Sequence, residues 1–277
     1  MSDLTKQKER ANALRTLHRG RILLLANVWD VASARIVEEA GFAAIATTSA
    51  GVAFSLGYPD GQRISREEML ARITRIQKAV KIPVTADVEA GYGNRPEDAA
   101  RTAREVIEAG AVGMNLEDAT DDPGQPLVEL SLQLEKIRAV REAALKSGVL
   151  LVLNARTDVY LAEVGASETR YDNALKRLLA FRDAGADCVF IPGLKDSETI
   201  ARLVRDLKCP VNILAGPGSP SVPQLEKLGV ARVSLGSGPM RATLGLMKRI
   251  AEELMTSGTY SAMEGAPSHA EINQMMG

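Results

Sequence analysis

Short runs of apolar, β-branched residues alternate along the chain with longer segments whose apolar positions recur every three or four residues. A run of four to eight apolar residues bounded by turn residues fits a strand buried on both faces. The longer amphipathic segments fit helices laid against such strands. This pattern predicts strands at 21–27, 43–49, 83–89, 112–118, 149–158, 187–193, 210–215 and 232–236. It predicts helices at 30–40, 65–79, 96–109, 127–146, 169–184, 197–207, 222–228 and 240–255. Alternating strands and helices imply a parallel sheet, and about eight such units in a chain of this length close a (β/α)8 TIM barrel, an α/β fold.

A weak internal repeat supports one repeated unit. Glu39-Ala-Gly-Phe42, Glu108-Ala-Gly-Ala111, Asp183-Ala-Gly-Ala186 and Lys227-Leu-Gly-Val230 each place a glycine after a helical stretch and before a strand. A glycine there stops a helix in the left-handed conformation. Lys81-Ile-Pro-Val84 and Lys208-Cys-Pro-Val211 start two strands with proline, where the missing N–H costs least. An extra N-terminal helix near 5–19, within residues 1–20, is placed to close the barrel bottom. A C-terminal helical tail at 257–277 is expected; it carries Met263, Ile272, Met275 and Met276 along a polar segment, which suits either packing on a neighbouring subunit or a frayed terminus. With no linker or composition shift, residues 1–277 are expected to form a single domain.

Composition narrows the partners. Hydrophobic residues make up 45% and charged residues 25% of the 277, with a formal net charge of -1. That is the make-up of a water-soluble globular chain, and it offers no basic surface to nucleic acid or acidic lipid. The start, Met1 to Arg10, lacks the apolar core of a signal peptide, and no later run is long enough to span a bilayer, so the expected location is cytoplasmic. Cys188 and Cys209 read as structural free cysteines in a reducing compartment.

Against this background, acids at the ends of apolar strands stand out. Asp87 and Glu89 lie in Pro83-Val-Thr-Ala-Asp-Val-Glu-Ala-Gly-Tyr-Gly93, and Glu117 in Gly113-Met-Asn-Leu-Glu-Asp118. Residues two apart on a strand face the same way, so Asp87 and Glu89 are expected to point together into the barrel mouth, with Glu117 on the next strand beside them. Desolvated carboxylates need a counter-charge, and Mg²⁺ takes oxygen ligands while keeping several waters. The alternative is that these acids only pair with Arg156 and lysines. Arg156 itself suits a substrate carboxylate or phosphonate, or else a structural pair with Asp158 or Glu117. Small residues at Ser49, Ala50 and Gly51, after Thr48, let successive N–H groups close on an anion. The stretch 51–63 reads as a flap over the site, with Asp60 either its catalytic acid or base or a plain turn residue. The loops 216–221 and 236–238 suit a phosphate-bearing ligand or flavin, or serve as plain turns. His18 precedes the first strand and His269 lies in the tail, so no imidazole is expected at the mouth.

Ala86-Asp-Val-Glu-Ala-Gly-Tyr-Gly93 together with Leu116-Glu-Asp118 resembles the phosphoenolpyruvate mutase and isocitrate lyase superfamily, over roughly residues 23–244. The resemblance implies that Asp87, Glu89 and Glu117 hold Mg²⁺ directly or through water, and that Ser49, Ala50 and Gly51 bind the substrate carboxylate or oxo group, with Thr48 before them also substrate-binding. It makes Asp60 the loop aspartate, Arg156 the arginine on the substrate and Asn212 a polar contact in strand 7. It further implies a homotetramer that exchanges a terminal helix. The loop after the Glu-Asp strand reads Ala119-Thr-Asp-Asp-Pro-Gly-Gln-Pro126, without the Lys-Lys/Arg-Cys-Gly-His of isocitrate and methylisocitrate lyases. It also lacks the lysine and asparagine of phosphonomutases, and Thr47 stands where those carry tryptophan.

What the resemblance leaves is a Mg²⁺-dependent carbon–carbon lyase or decarboxylase on a small 2-oxo or 2-hydroxy di- or tricarboxylic acid, passing through an enolate, with water or Tyr58 returning a proton. Phosphonopyruvate hydrolysis or other P–C chemistry is the second reading. A barrel that binds a 2-oxo acid without turnover is the third.

Overall fold

The computed structural model describes residues 3–120 and 122–277; Met1 and Ser2 of the expected N-terminal helix and Asp121 of the 119–126 loop lie outside it. Nine strands form one parallel sheet: β1 (Leu23–Leu25), β2 (Asn27–Val28), β3 (Ile45–Thr47), β4 (Val84–Ala86), β5 (Gly113–Glu117), β6 (Val152–Arg156), β7 (Cys188–Phe190), β8 (Val211–Leu214) and β9 (Arg232–Ser234). Their order runs β1-β9-β8-β7-β6-β5-β4-β3-β2. The strand expected at 21–27 is therefore two strands, broken at Ala26. β1 pairs with β9, and β2 pairs with β3. One interrupted segment thus supplies both edges, which nearly closes the ring and leaves little unpaired edge.

Helices α1 (Asp3–Leu17), α2 (Val31–Glu39), α3 (Ser49–Ser55), α4 (Arg66–Ala79), α5 (Pro96–Glu108), α6 (Leu130–Ser147), α7 (Ser167–Asp183), α8 (Ser197–Leu207), α9 (Val222–Lys227), α10 (Gly238–Thr256) and α11 (His269–Met276) accompany the strands. Four helices end as the repeat predicts. Gly41, Gly110, Gly185 and Gly229 have φ of 85°, 90°, 113° and 82°, where a side chain would be strained. Helix α1 caps the lower end: Ala11 and Leu14 are fully buried, and Gln7 Nε2 donates to the Ile107 and Ala111 carbonyls just below β5. A fully buried leucine such as Leu14 contributes about 2 kcal/mol, so this plug ties the N-terminus to the barrel.

The stretch read as a flap differs from expectation. Helix α3 occupies the first part of the stretch read as a flap, because Thr48 caps it through Gly51 N–H to Thr48 Oγ1 at 3.2 Å. A Cβ at Gly51 would come 2.5 Å from Thr48 Cγ2 and 3.3 Å from Trp29 Cβ, so the small residue is needed for the turn to seat. The helical tail is found as expected over His269–Met276: α11 packs against α2 of the same chain, and Ser268 caps its start by accepting the Glu271 N–H. Helix α10 buries only Met240, while Leu244, Met247, Leu254 and Met255 stand exposed along it.

Candidate active site at the barrel mouth

β4 ends at Ala86, so Asp87 and Glu89 lie beyond the strand, and the period-two argument does not place them. The loop itself brings them together. Glu89 has φ of 53° and Tyr92 φ of 56°, both in the left-handed region that non-glycine residues seldom adopt. Such strain marks a site where the surroundings overdetermine the backbone. The turn is locked to β5 by Glu117 N–H donating to the Glu89 carbonyl at 3.1 Å.

Each acid meets a different set of donors. Asp87 Oδ2 accepts from Ser49 N–H at 3.0 Å and Ser49 Oγ at 2.9 Å; its Oδ1 faces Asn115 Nδ2 at 3.4 Å. Thr47 Oγ1 receives the Asp87 N–H at 2.8 Å. Glu89 Oε2 accepts the Gln62 N–H at 2.5 Å, and its Oε1 faces Tyr92 Oη at 3.4 Å. Glu117 Oε2 lies 2.6 Å from Arg156 Nη1. Arg156 also grips Asp158 with Nε at 2.5 Å and Nη2 at 2.7 Å, and its guanidinium stands 5.8 Å from the Phe190 ring centroid. The structural pairing weighed for Arg156 is thus present with both of its named partners.

The electrostatics at the mouth are one-sided. Burial and the neighbouring Asp87 push Glu89 up to about 7. Burial lifts Glu117 well above the usual carboxylate range; Arg156 opposes this, while Asp158, Asp87 and Glu89 add to it. Asp60 is raised by burial and by Asp87. Burial would lower Arg156, yet Glu117 and Asp158 hold it above its ordinary value. Of these five carboxylates, only Glu117 and Asp158 are ion-paired among the described residues, both with Arg156. All-oxygen donors with excess negative charge suit Mg²⁺ bound partly through water. Among the described residues, no three His, Cys, Asp or Glu side chains form a ready-made metal cluster as they stand, since Glu117 leans on Arg156 and Glu89 on Gln62.

The other expected residues are spread around this centre. Thr48, Ser49, Ala50 and Gly51 form the buried start of α3. Asp60 sits in an exposed turn yet senses the charges of Asp87, Arg156 and Asp158. Asn212 is fully buried deeper in the barrel, with Ser234 as its partner, Nδ2 to Oγ at 3.1 Å. Tyr58, expected alongside water as a proton source, is 44% exposed, whereas Tyr92 faces Glu89. A cavity of about 560 Å³ beside the mouth is lined by Gln62, Ala90, Thr120, Gln125 and Lys136 among others.

Gln62, Tyr92, Asn115 and Arg177 escaped sequence reasoning. Arg177 Nε holds the buried Asp118 at 2.8 Å; Asp118 Oδ1 accepts the Asp158 N–H at 2.9 Å and so fixes Arg156's partner. An arginine at a core-facing helix position was the available signal, because buried arginines need an acid.

A nearly closed parallel barrel whose polar groups converge beyond the C-terminal strand ends is a (β/α)8 protein with its candidate site at that face. A family model described as phosphoenolpyruvate phosphomutase matches residues 14–255. Oxaloacetate decarboxylase 2 of Pseudomonas fluorescens is 31% identical over 249 residues, covering 87% of this chain and 82% of the relative. Among solved structures, a lyase/mutase candidate from Burkholderia cenocepacia J2315 aligns with TM-score 0.92 and 39% identity over 98% of this chain and 96% of that one. Phosphonopyruvate hydrolase, solved with oxalate and Mg²⁺, aligns with TM-score 0.84 and 26% identity over 96% and 94%. The chain belongs to the phosphoenolpyruvate phosphomutase family, within the phosphoenolpyruvate mutase and isocitrate lyase superfamily.

Proposed function

We propose that this protein is a Mg²⁺-dependent carbon–carbon lyase or decarboxylase acting on a small 2-oxo or 2-hydroxy di- or tricarboxylic acid. The observation that carries the reading is the excess of carboxylates over cations at the mouth, Asp60, Asp87, Glu89, Glu117 and Asp158 around Arg156. Asp87, Glu89 and Glu117 would hold the metal, and bound there it would polarise the substrate's oxo group. Asp87 is kept in place by Ser49 and Asn115, which leaves its orientation fixed before substrate arrives. Arg156 would turn one edge of its fork from Glu117 to a substrate carboxylate while Asp158 keeps its grip on the other. Tyr92 Oη, facing Glu89, would return a proton to the enolate carbon. With Ala119-Thr-Asp-Asp-Pro-Gly-Gln-Pro126 following β5, no thiol or lysine from that loop enters the scheme.

We further infer that the 277 residues act as one barrel domain and that copies associate. The exposed Leu244, Met247, Leu254 and Met255 of α10 support such association, since apolar side chains gathered on one helix mark an interaction surface. Among the described residues, no helix is long and apolar enough to cross a membrane.

Pyruvate release from oxaloacetate, 2-methylisocitrate, dimethylmalate and phosphonopyruvate, with and without Mg²⁺ and with phosphate assayed alongside, tests the reading. Pyruvate without phosphate, lost on chelation and in Asp87→Ala, is the expected result. Phosphate release would move the protein to P–C hydrolysis, and turnover insensitive to Asp87→Ala would remove the mouth from the chemistry.

A further inference from the structure

We infer that Arg232 is a positioning residue for Asp87, acting through Asn115 and retained inside the barrel at a cost to stability; the inference rests on the reading of the mouth given above. Arg232 lies in β9 and is only 1% exposed. Among the described residues its Nε and Nη1 have no hydrogen-bond partner, and no carboxylate forms an ion pair with it. Its Nη2 reaches Asn115 Oδ1 at 3.5 Å, the same oxygen that accepts from Asn154 Nδ2 at 2.7 Å.

The chemistry of these groups fixes which way the amide points. Arginine can only donate, so the Asn115 atom facing it must be the oxygen; the carboxylate of Asp87 can only accept, so the atom facing it must be the NH₂. Arg232 and Asp87 therefore bracket Asn115 and specify the same sense. Asn154 cannot do this by itself, because it is an amide too and its own Oδ1 has no partner among the described residues. The line Arg232 to Asn115 to Asp87 delivers a donor to Asp87 Oδ1 while Ser49 holds Oδ2. Both oxygens of the acid are thereby set.

A buried guanidinium with two idle donors is a poor way to stabilise a barrel, and an apolar side chain of similar volume is usually as good or better. Burial depresses its basicity, with Cys188 and Asp87 opposing. What Arg232 supplies is the orientation of Asp87, together with a positive charge beneath it.

The test compares wild type with Arg232→Met in two readouts, thermal melting and calorimetric titration with Mg²⁺ and oxalate as the probe. The expected result is a melting temperature equal to or above wild type, with Mg²⁺–oxalate binding weakened about tenfold, as for loss of an outer-shell partner. Asn115→Leu should weaken binding similarly, and adding Arg232→Met to it should cost little more, because both break one line. A lower melting temperature, or failure to fold, would make Arg232 a structural residue and overturn the inference, as would unchanged binding in Arg232→Met. Full additivity of the two substitutions would also overturn it. Wild-type protein that takes up no Mg²⁺–oxalate would instead overturn the reading of the mouth.

Discussion

At the lower end of the barrel Asp187 lies between Arg15, at 2.5 Å, and Arg141, and its Oδ2 also receives the Leu153 N–H at 2.8 Å. At the upper end Arg156 lies among Glu117 and Asp158, with Asp87, Glu89 and Asp60 nearby and, among the described residues, no second guanidinium ion-paired to any of these acids. At the lower end Asp187 is thus answered twice over from within the chain. The upper end gathers five acids, of which, among the described residues, only Glu117 and Asp158 have an ion pair, both with Arg156, and several are pushed toward the protonated form. Interactions that complete themselves make a fold stable, whereas groups left short of a counter-charge are prepared for something that arrives later. In parallel barrels the first kind gathers at the N-terminal face and the second at the C-terminal face.

Substitutions at the two ends should therefore separate activity from stability. The largest effect is expected from Asp87→Asn, which should lower Mg²⁺-dependent turnover by roughly a thousandfold while leaving the melting temperature close to wild type, read by steady-state assay and circular dichroism. A melting temperature that falls along with activity would blur the comparison. At the other end, Asp187→Ala strands Arg15 and Arg141 without their acid. It should cost about 2 kcal/mol in chemical denaturation, less than a fully buried pair because the partners keep some solvent contact, and leave turnover per folded molecule unchanged.

The smallest effect concerns His18, buried at the lower end with Nδ1 at 2.8 Å from the Leu14 carbonyl and facing the charges of Arg232, Asp187 and Arg15. Burial, then Arg232, lowers its pKa to about 4 from the ordinary 6.5. Between those values the unfolded chain binds a proton that the folded one refuses, so stability falls as pH drops through that window. The loss is roughly 1 kcal/mol by pH 6. Denaturation of wild type and His18→Gln at pH 7.5 and 6 should show this dependence in the first and not in the second.

Much of the scaffold could be read from the chain because its signals are local. The Ala-Gly and Leu-Gly junctions stop four helices with a backbone that only glycine adopts easily, and buried strands show as apolar runs. The break at Ala26 was not legible, since it depends on β1 and β2 serving opposite neighbours, and that is a property of the closed ring. Helix α3 was missed because Thr48-Ser-Ala-Gly51 reads as a turn until Thr48 is seen to cap it. The acids were legible by contrast with their apolar strands. Their partners were not, because Gln62, Tyr92, Asn115 and Arg177 come from other segments, and their roles follow from contacts. Arg232 was on view in Val230-Ala-Arg-Val-Ser234, but only its unpaired donors show that it is more than part of a strand.

The central claim is that the mouth's carboxylates await a divalent cation, and direct calorimetric titration of Mg²⁺ into wild type and Asp87→Asn tests it without reference to any substrate. Mg²⁺ should fill one saturable site in wild type, and that site should be lost or strongly weakened in the variant. Equal binding by the two proteins, or none by wild type while it still turns over a 2-oxo acid, would contradict it.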